Sequence, residues 1–255
     1  MIDQNLVRLI ADAGMISPTD RVIEVGPGTG TLTDELLQRS QHVTAVEIDR
    51  DLAAMLRERY ADRQGFRLIE GDALASKHAL NDELLEVIRD AHQHGAAVRL
   101  VANLPYNIAS PLVIELLLAG VASLAFTVQK EVADRMRAGA NDDAYGPLSV
   151  MANLLADVEV LRTLPPQAFW PAPKIDSALV RMVRNDRLSG IGNDFGRFVQ
   201  GVFASRRKTI RNALNRLDLN ADALLGEVGL DAGRRPEEFS AAQLLALFTA
   251  SRRLV

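Results

Sequence analysis

From Arg21 to about Arg184 the chain alternates short runs rich in β-branched and aliphatic residues with longer stretches whose apolar positions recur every three or four residues. The runs 21–25, 42–48, 66–70, 98–102 and 122–129 read as buried strands. Between them lie helical stretches. One is 29–39, with Leu32, Leu36 and Leu37 on one face; another is 111–119, which opens with Pro111 in its first turn. The alternation predicts an α/β fold, a parallel sheet flanked by helices. Two further runs, 157–164 and 177–184, flank the proline-rich loop Pro165–Lys174 and are expected to close the sheet as an antiparallel pair, giving seven strands.

Past residue 184 the pattern changes. The segment 185–194 is polar, contains Gly190 and Gly192, and reads as a linker. Beyond it Phe195–Leu217, Ala221–Val228 and Ser240–Ser251 carry apolar residues at helical spacing, with Ser240 placed to cap the last. The expected organisation is an α/β domain over 1–186 and a small all-helical domain over 187–255. No internal repeat or low-complexity tract interrupts either.

Composition narrows the classes. A chain of 255 residues, 48% hydrophobic, can bury one large core plus a small appendage. It contains no Cys, which removes disulfides, thiolate nucleophiles and thiolate metal sites and fits a reducing cytoplasm. No apolar run reaches membrane-spanning length and Met1–Asn5 lacks signal-peptide features, so a cytoplasmic protein is expected. The net charge of −4 argues against indiscriminate coating of nucleic acid. Charge is uneven, however: 206–216 holds Arg206, Arg207, Lys208, Arg211 and Arg216 with no acid. Placed on a helix, Arg207 and Arg211 would share one face, with Ile210 and Leu214 on another. That face suits phosphate, a solvated helix surface being the plain alternative. His92 and His94, in a polar helix near 80–94, are read as solvent-facing, and no metal site is expected.

The segment Val22–Leu32 is a strand, a glycine-rich turn and a helix start, with Gly26, Gly28 and Gly30 spaced G-x-G-x-G. This is not the dinucleotide spacing, and the preceding Glu24 favours a ligand with a cationic amino-acid portion over a pyrophosphate. S-adenosyl-L-methionine fits. A tight turn between strand and helix would explain the glycines alone. It would not explain Glu47 at the end of the second strand, placed for ribose hydroxyls, or Asp72 at the end of the third, placed for an adenine amine.

Asn103-Leu104-Pro105-Tyr106 follows directly on the run 98–102, so it projects from a strand's carboxyl end, where open α/β sheets bind ligands. A carboxamide oxygen, a backbone carbonyl held by the following proline and an aromatic face suit a flat heterocycle with an exocyclic amine, namely adenine. Adenine N6 is a poor nucleophile because its lone pair is delocalised into the ring. If Asn103 Oδ1 and the Leu104 carbonyl accept its two N–H bonds, the nitrogen is drawn towards tetrahedral geometry and the lone pair is freed, with no strong base required. Tyr106 would stack on the ring, and Phe169 could close over its other face. The bland readings are a proline turn with a buried tyrosine, and an aromatic that only fills space.

In these motifs the chain resembles the ribosomal RNA adenine N6,N6-dimethyltransferases of the KsgA/RsmA type, a family shared with the erythromycin-resistance methylases and the mitochondrial Dim1-like factors. The match runs through Val22–Thr33, Val46–Asp49, Gly71–Leu74, Asn103–Tyr106, Val128–Arg135, Tyr145-Gly146, Phe169–Ser177 and Phe203–Leu214. In the family a Gly-Gln-Asn-Phe-Leu-like segment, which helps enclose the methionine end of the donor, lies just ahead of the point where this sequence begins. The resemblance implies a Rossmann-like class I methyltransferase sheet using S-adenosyl-L-methionine, with Ile48, Ala73 and Asn103 joining the cofactor contacts. It implies dimethylation of two adjacent adenosines near the 3′ end of 16S rRNA in the assembling 30S subunit, four methyls coming from four donor molecules. It also implies RNA contact through Arg206, Arg207, Lys208 and Arg211 of the helical domain, the chain acting as a monomer. The helical tail and Leu104 resemble the small-subunit enzymes more than the resistance methylases. Two other readings stay open: a 23S rRNA adenine methylase of the resistance type, and a non-catalytic RNA-binding assembly factor, against which Asn103 and Tyr106 count.

Overall fold

In the computed structural model, which describes residues 4–169, 172–185, 187–188 and 190–253, the expected runs form one seven-stranded sheet. The strands are β1 (Arg21–Val25), β2 (His42–Glu47), β3 (Phe66–Glu70), β4 (Val98–Asn103), β5 (Ser123–Gln129), β6 (Ala156–Leu164) and β7 (Ser177–Arg184). Their order is β3-β2-β1-β4-β5-β7-β6. From β3 to β5 neighbours run parallel, and β7 is antiparallel to β5. Such a sheet is covered on both faces, and its central strand shows it: Val98, Leu100, Val101 and Ala102 are all fully buried.

Successive crossovers carry the chain outwards from β1 to β2 and β3, then back to β4 on the other side of β1. The strand order therefore reverses between β1 and β4, which opens a crevice at their carboxyl ends. The returning crossover is α4 (Asp82–Gln93), capped by Asn81, whose side chain accepts from the Glu83 and Leu84 amides. Leu84, Ile88 and Ala91 give α4 a buried face, so the polar helix read near 80–94 is an integral amphipathic element of the sheet's winding. His92 and His94 lie on its exposed side; His92 Nε2 sits 3.2 Å from the Gly120 carbonyl. Among the described residues no group of His, Asp or Glu is placed to hold a metal ion, and no helix is long and apolar enough to cross a membrane.

A helix not assigned from the sequence, α1 (Gln4–Ala13), buries Leu6, Val7 and Ile10 in a cluster with Val22, Leu36, Val43 and Leu179. The other helices of this unit are α2 (Thr31–Arg39), α3 (Arg50–Arg59) and α5 (Ala109–Leu118); α6 (Lys130–Arg137) starts in it.

The chain divides into two compact units, Met1–Ala133 with Val158–Arg184 and Asp134–Asp157 with Asn185–Val255. The division near 186/187 falls at 184/185, and the helical unit also takes a segment from inside the α/β part. The reason is burial. Within that segment α7 (Pro147–Leu155) buries Leu148, Val150, Met151, Leu154 and Leu155 and packs against α8 (Gly192–Phe203) and α11 (Ala241–Ser251). Just before it Tyr145, 1% exposed, donates its hydroxyl to the Phe239 carbonyl at 3.0 Å.

The helix expected over 195–217 is broken. After α8 the chain turns through 204–209, and α9 (Ile210–Asn215) starts anew with Thr209 as its cap, accepting from the Asn212 amide. The unit also holds α10 (Ala221–Val228), and Ser240 caps α11 through a reciprocal pair with Gln243.

Tyr145→Phe leaves the buried Phe239 carbonyl without its donor. Chemical denaturation should show a loss of about 1 kcal/mol relative to wild type.

Candidate active site

β1 runs straight into the glycine turn. Gly26 donates its amide to the Val46 carbonyl at 3.0 Å and holds φ +72°; a Cβ there would stand 3.2 Å from Pro105 Cγ. The turn thus rests directly on the proline of the Asn103–Tyr106 tetrad, across the β1/β4 crevice. Gly28, at φ +58°, is different: a Cβ on it would meet nothing within 4 Å, so its backbone faces open space that a ligand can enter. Gly30 caps α2, and its carbonyl accepts the Tyr60 hydroxyl at 3.0 Å, while Arg59 donates to the Thr29 carbonyl at 2.8 Å. Arg59 and Tyr60 end α3 about thirty positions along the chain, a separation at which no local motif signals the contact.

The acids gather around this turn. Glu47 ends β2, is 5% exposed, and uses one oxygen for each of two amides, Gly28 at 3.1 Å and Asp49 at 3.0 Å. Each oxygen keeps a further lone pair. The Glu47 carbonyl also receives the Gly71 amide at 2.8 Å, tying the end of β3 to the end of β2. Asp72 is exposed, one oxygen accepting the Leu74 amide at 2.9 Å; Ala73 beside it is buried. Ile48, next to Glu47, is 67% exposed, an apolar surface left bare at the mouth of the site. An open Gly28 backbone, an amide-held carboxylate and a bare aliphatic side chain form a cradle that fits a ribose and a flat base.

Glu24 departs from expectation. Rather than facing a ligand, it is 1% exposed and accepts the Thr33 hydroxyl at 2.6 Å. Burial pushes its carboxyl up to about 8, against the lowering effect of the Thr33 hydrogen bond, with Asp34 and Glu47 adding to the rise. At neutral pH it is mostly protonated and lies beneath the turn.

β4 delivers the tetrad. Asn103 is paired in register with Thr127 of β5, and the fully buried Thr127 hydroxyl donates to Asn103 Oδ1. The Leu104 side chain is buried, and the Pro105 carbonyl accepts the Ile108 amide at 3.3 Å in the turn leading to α5. Tyr106 is half-buried, its hydroxyl 2.7 Å from Oγ of the fully buried Ser177 at the start of β7. Phe169 is not brought to this group. It is 6% exposed and lies in the apolar cluster with Leu6, Val7, Ile10 and Leu164, making no ring contact with Tyr106; the space-filling reading describes it here. Thr127 lies outside every segment that carries the resemblance, and Ser177 only closes one of them. A hydroxyl within an otherwise apolar run, Leu124–Val128, is the one hint the sequence holds.

In the helical unit the four basic candidates do not share a helix face. Arg206, Arg207 and Lys208 lie in the turn before α9. Arg206 donates to the Asp143 carbonyl at 3.2 Å and approaches Glu237 at 4.0 Å, and Arg211 pairs with Asp222 at 2.8 Å. Arg207 and Lys208 are exposed and, among the described residues, have no ion pair.

This geometry has relatives. A model of the ribosomal RNA adenine dimethylase family matches residues 1–251. The chain belongs to that family. The protein named ribosomal RNA small subunit methyltransferase A in Methylococcus capsulatus is 40% identical over 249 residues, covering 96% of this chain and 92% of the relative. Its namesake in Magnetococcus marinus is 41% identical over 245 residues, covering 94% and 84%. Among solved structures, the 23S rRNA methyltransferase ErmE matches at 26% identity with TM-score 0.68 over 98% of each chain. A dimethyladenosine transferase from Plasmodium falciparum, at 22% identity and TM-score 0.75, covers 98% of this chain and 96% of its own and shares the fold.

For this adenine dimethylase the buried Glu24 carboxyl sets a pH dependence of stability. Its folded pKa lies above the ordinary 4.5, so the contribution is complete below 4.5 and is lost as pH rises towards and through about 8. In Glu24→Gln this loss is absent. Melting temperatures of variant and wild type, compared from pH 5 to 9, should move apart in the variant's favour and then run parallel; a constant offset would contradict the assignment.

Proposed function

We propose that this protein transfers methyl groups from S-adenosyl-L-methionine to the N6 amines of two adjacent adenosines near the 3′ end of 16S rRNA, giving N6,N6-dimethyladenosine. The observation that carries the proposal is the seating of the glycine turn on Pro105. A donor cradle and an amine-gripping tetrad thereby share one crevice.

When bound, the cofactor supplies an electrophilic methyl on a sulfonium sulfur. The Gly26–Gly30 backbone receives it, the free lone pairs of Glu47 accept ribose hydroxyls, Ile48 and Ala73 pack on its base, and Asp72 accepts the base amine. At the acceptor side, Asn103 Oδ1 and the Leu104 carbonyl hold the two N6 hydrogens of the target adenine while Tyr106 stacks on the ring. Removing the amine's conjugation by geometry is the enzyme's contribution to nucleophilicity, and the proton leaves to solvent after transfer. Phe169 reaches the base only if it leaves the α1 cluster.

Small-subunit rRNA in the assembling 30S particle is the preferred substrate. The two relatives above that are named for that subunit are 40% and 41% identical, against 26% for the large-subunit enzyme ErmE. The helical unit supplies phosphate contacts, chiefly through the exposed Arg207 and Lys208, and the chain acts as a cytoplasmic monomer.

Small subunits and rRNA from a strain lacking the modification, incubated with purified protein and tritiated donor, should gain dimethyladenosine by mass spectrometry. Label in large-subunit rRNA instead would identify the resistance-type activity, and no label a binding factor. Asn103→Ala should lower kcat by about 100-fold or more with donor Kd little changed, whereas Glu47→Ala should weaken donor binding by about tenfold or more. Arg207→Glu with Lys208→Glu should weaken RNA binding, reduce the slope of log affinity against log salt, and leave donor affinity intact.

A further inference from the structure

β5 poses a question that the proposed reaction does not answer. Between Leu124 and Val128 the strand is wholly buried, and its other members are aliphatic or aromatic; yet position 127 is Thr. Valine has the same shape, favours strands as well, and avoids burying a hydroxyl, an arrangement that costs several kcal/mol when the hydroxyl is unpaired. Thr127 is 0% exposed, and among the described residues its hydroxyl meets one partner, Asn103 Oδ1, directly across the β4–β5 ladder.

The direction of that bond matters. A terminal carboxamide has two nearly equivalent orientations about its last torsion, one presenting oxygen and the other NH₂. Were Asn103 turned over, its Nδ2 would donate to Thr127 Oγ1, and the buried threonine proton would have no acceptor. An unpaired buried donor is more costly than an unfilled lone pair. Thr127 therefore selects the orientation in which Oδ1 is the acceptor and one of its lone pairs remains free. The turned-over amide would set an N–H donor against the hydrogens of the target amine, opposing the grip.

We infer that Thr127 is a positioning residue for methyl transfer, fixing the Asn103 carboxamide so that an oxygen meets the amine. The inference rests on the adenine N6 reading above. It adds to that reading a residue that touches neither substrate nor donor and acts through Asn103 alone.

The test compares wild type, Thr127→Val and Thr127→Ser in steady-state methylation of small-subunit rRNA, with donor Kd from calorimetry and the ¹⁵N side-chain amide resonances of Asn103 from NMR. A misplaced gripping group should lower kcat of Thr127→Val by about 10- to 100-fold. KM for RNA and donor Kd should stay unchanged, and the Asn103 amide resonances should shift or broaden. Thr127→Ser should restore both kcat and the resonances. Wild-type kcat with unperturbed Asn103 resonances in Thr127→Val would overturn the inference. So would a loss of kcat that serine does not rescue, or one matched by an equal loss of donor affinity. Inactive wild-type protein would count against the reaction rather than the brace, since the Asn103 resonances still decide whether Thr127 orients the carboxamide.

Discussion

The contact between Gly26 and the Pro105 ring holds the molecule's chemistry together. It exists because the strand order reverses between β1 and β4, so that two loops leaving adjacent parallel strands face each other across one crevice. A Cβ at position 26 would crowd the proline ring at 3.2 Å, and the positive φ there already disfavours a side chain. The separation between the open Gly28 backbone and the Asn103 carboxamide is thereby set by main chain and ring rather than by flexible side chains. A transfer whose rate depends on how closely a nucleophile lines up with an electrophilic carbon needs that rigidity.

Buried hydroxyl groups supply the next level of order. Thr33 holds Glu24, Thr127 holds Asn103, and Ser177 meets Tyr106, each from a buried position on a helix or strand behind the crevice. Tyr60 does the same for the glycine turn from the end of α3. In a low-dielectric interior such bonds are short of competitors, so one hydroxyl suffices to choose between two orientations of its partner. Asn103, Tyr106 and the glycine turn are thereby presented already oriented, with little ordering left to accompany binding.

The sheet was legible because its strands are buried on both faces: a run such as Val98–Ala102 can satisfy that only with aliphatic residues, and turn chemistry marks its ends. Gly26, Glu47, Asp72 and Asn103 were legible for a related reason, since each sits at a strand's carboxyl end, a position countable along the chain. Contacts made at a distance were not. Nothing local distinguishes Tyr60 as the fastening of a turn thirty residues earlier, or Thr127 as a partner for Asn103. The burial of Glu24 was hidden as well, because an acid beside glycines reads the same whether it faces a ligand or the core. In the basic segment, even spacing of Arg207 and Arg211 concealed a helix break that Thr209 imposes as a cap.

The path of the backbone limits how this protein can change. Because Asp134–Asp157 is built into the helical unit while the residues on either side belong to the sheet, the polypeptide passes between the two bodies three times, at 133/134, 157/158 and 184/185. The second body is accordingly no cassette. Cutting at the last crossing would strip α7 of α8 and α11 and leave a bare aliphatic surface on what remained. Recombination that exchanges only the carboxyl-terminal third would graft half an interior onto the wrong half. Divergence in this architecture must therefore proceed by substitutions matched between 134–157 and 185–253, not by swapping modules.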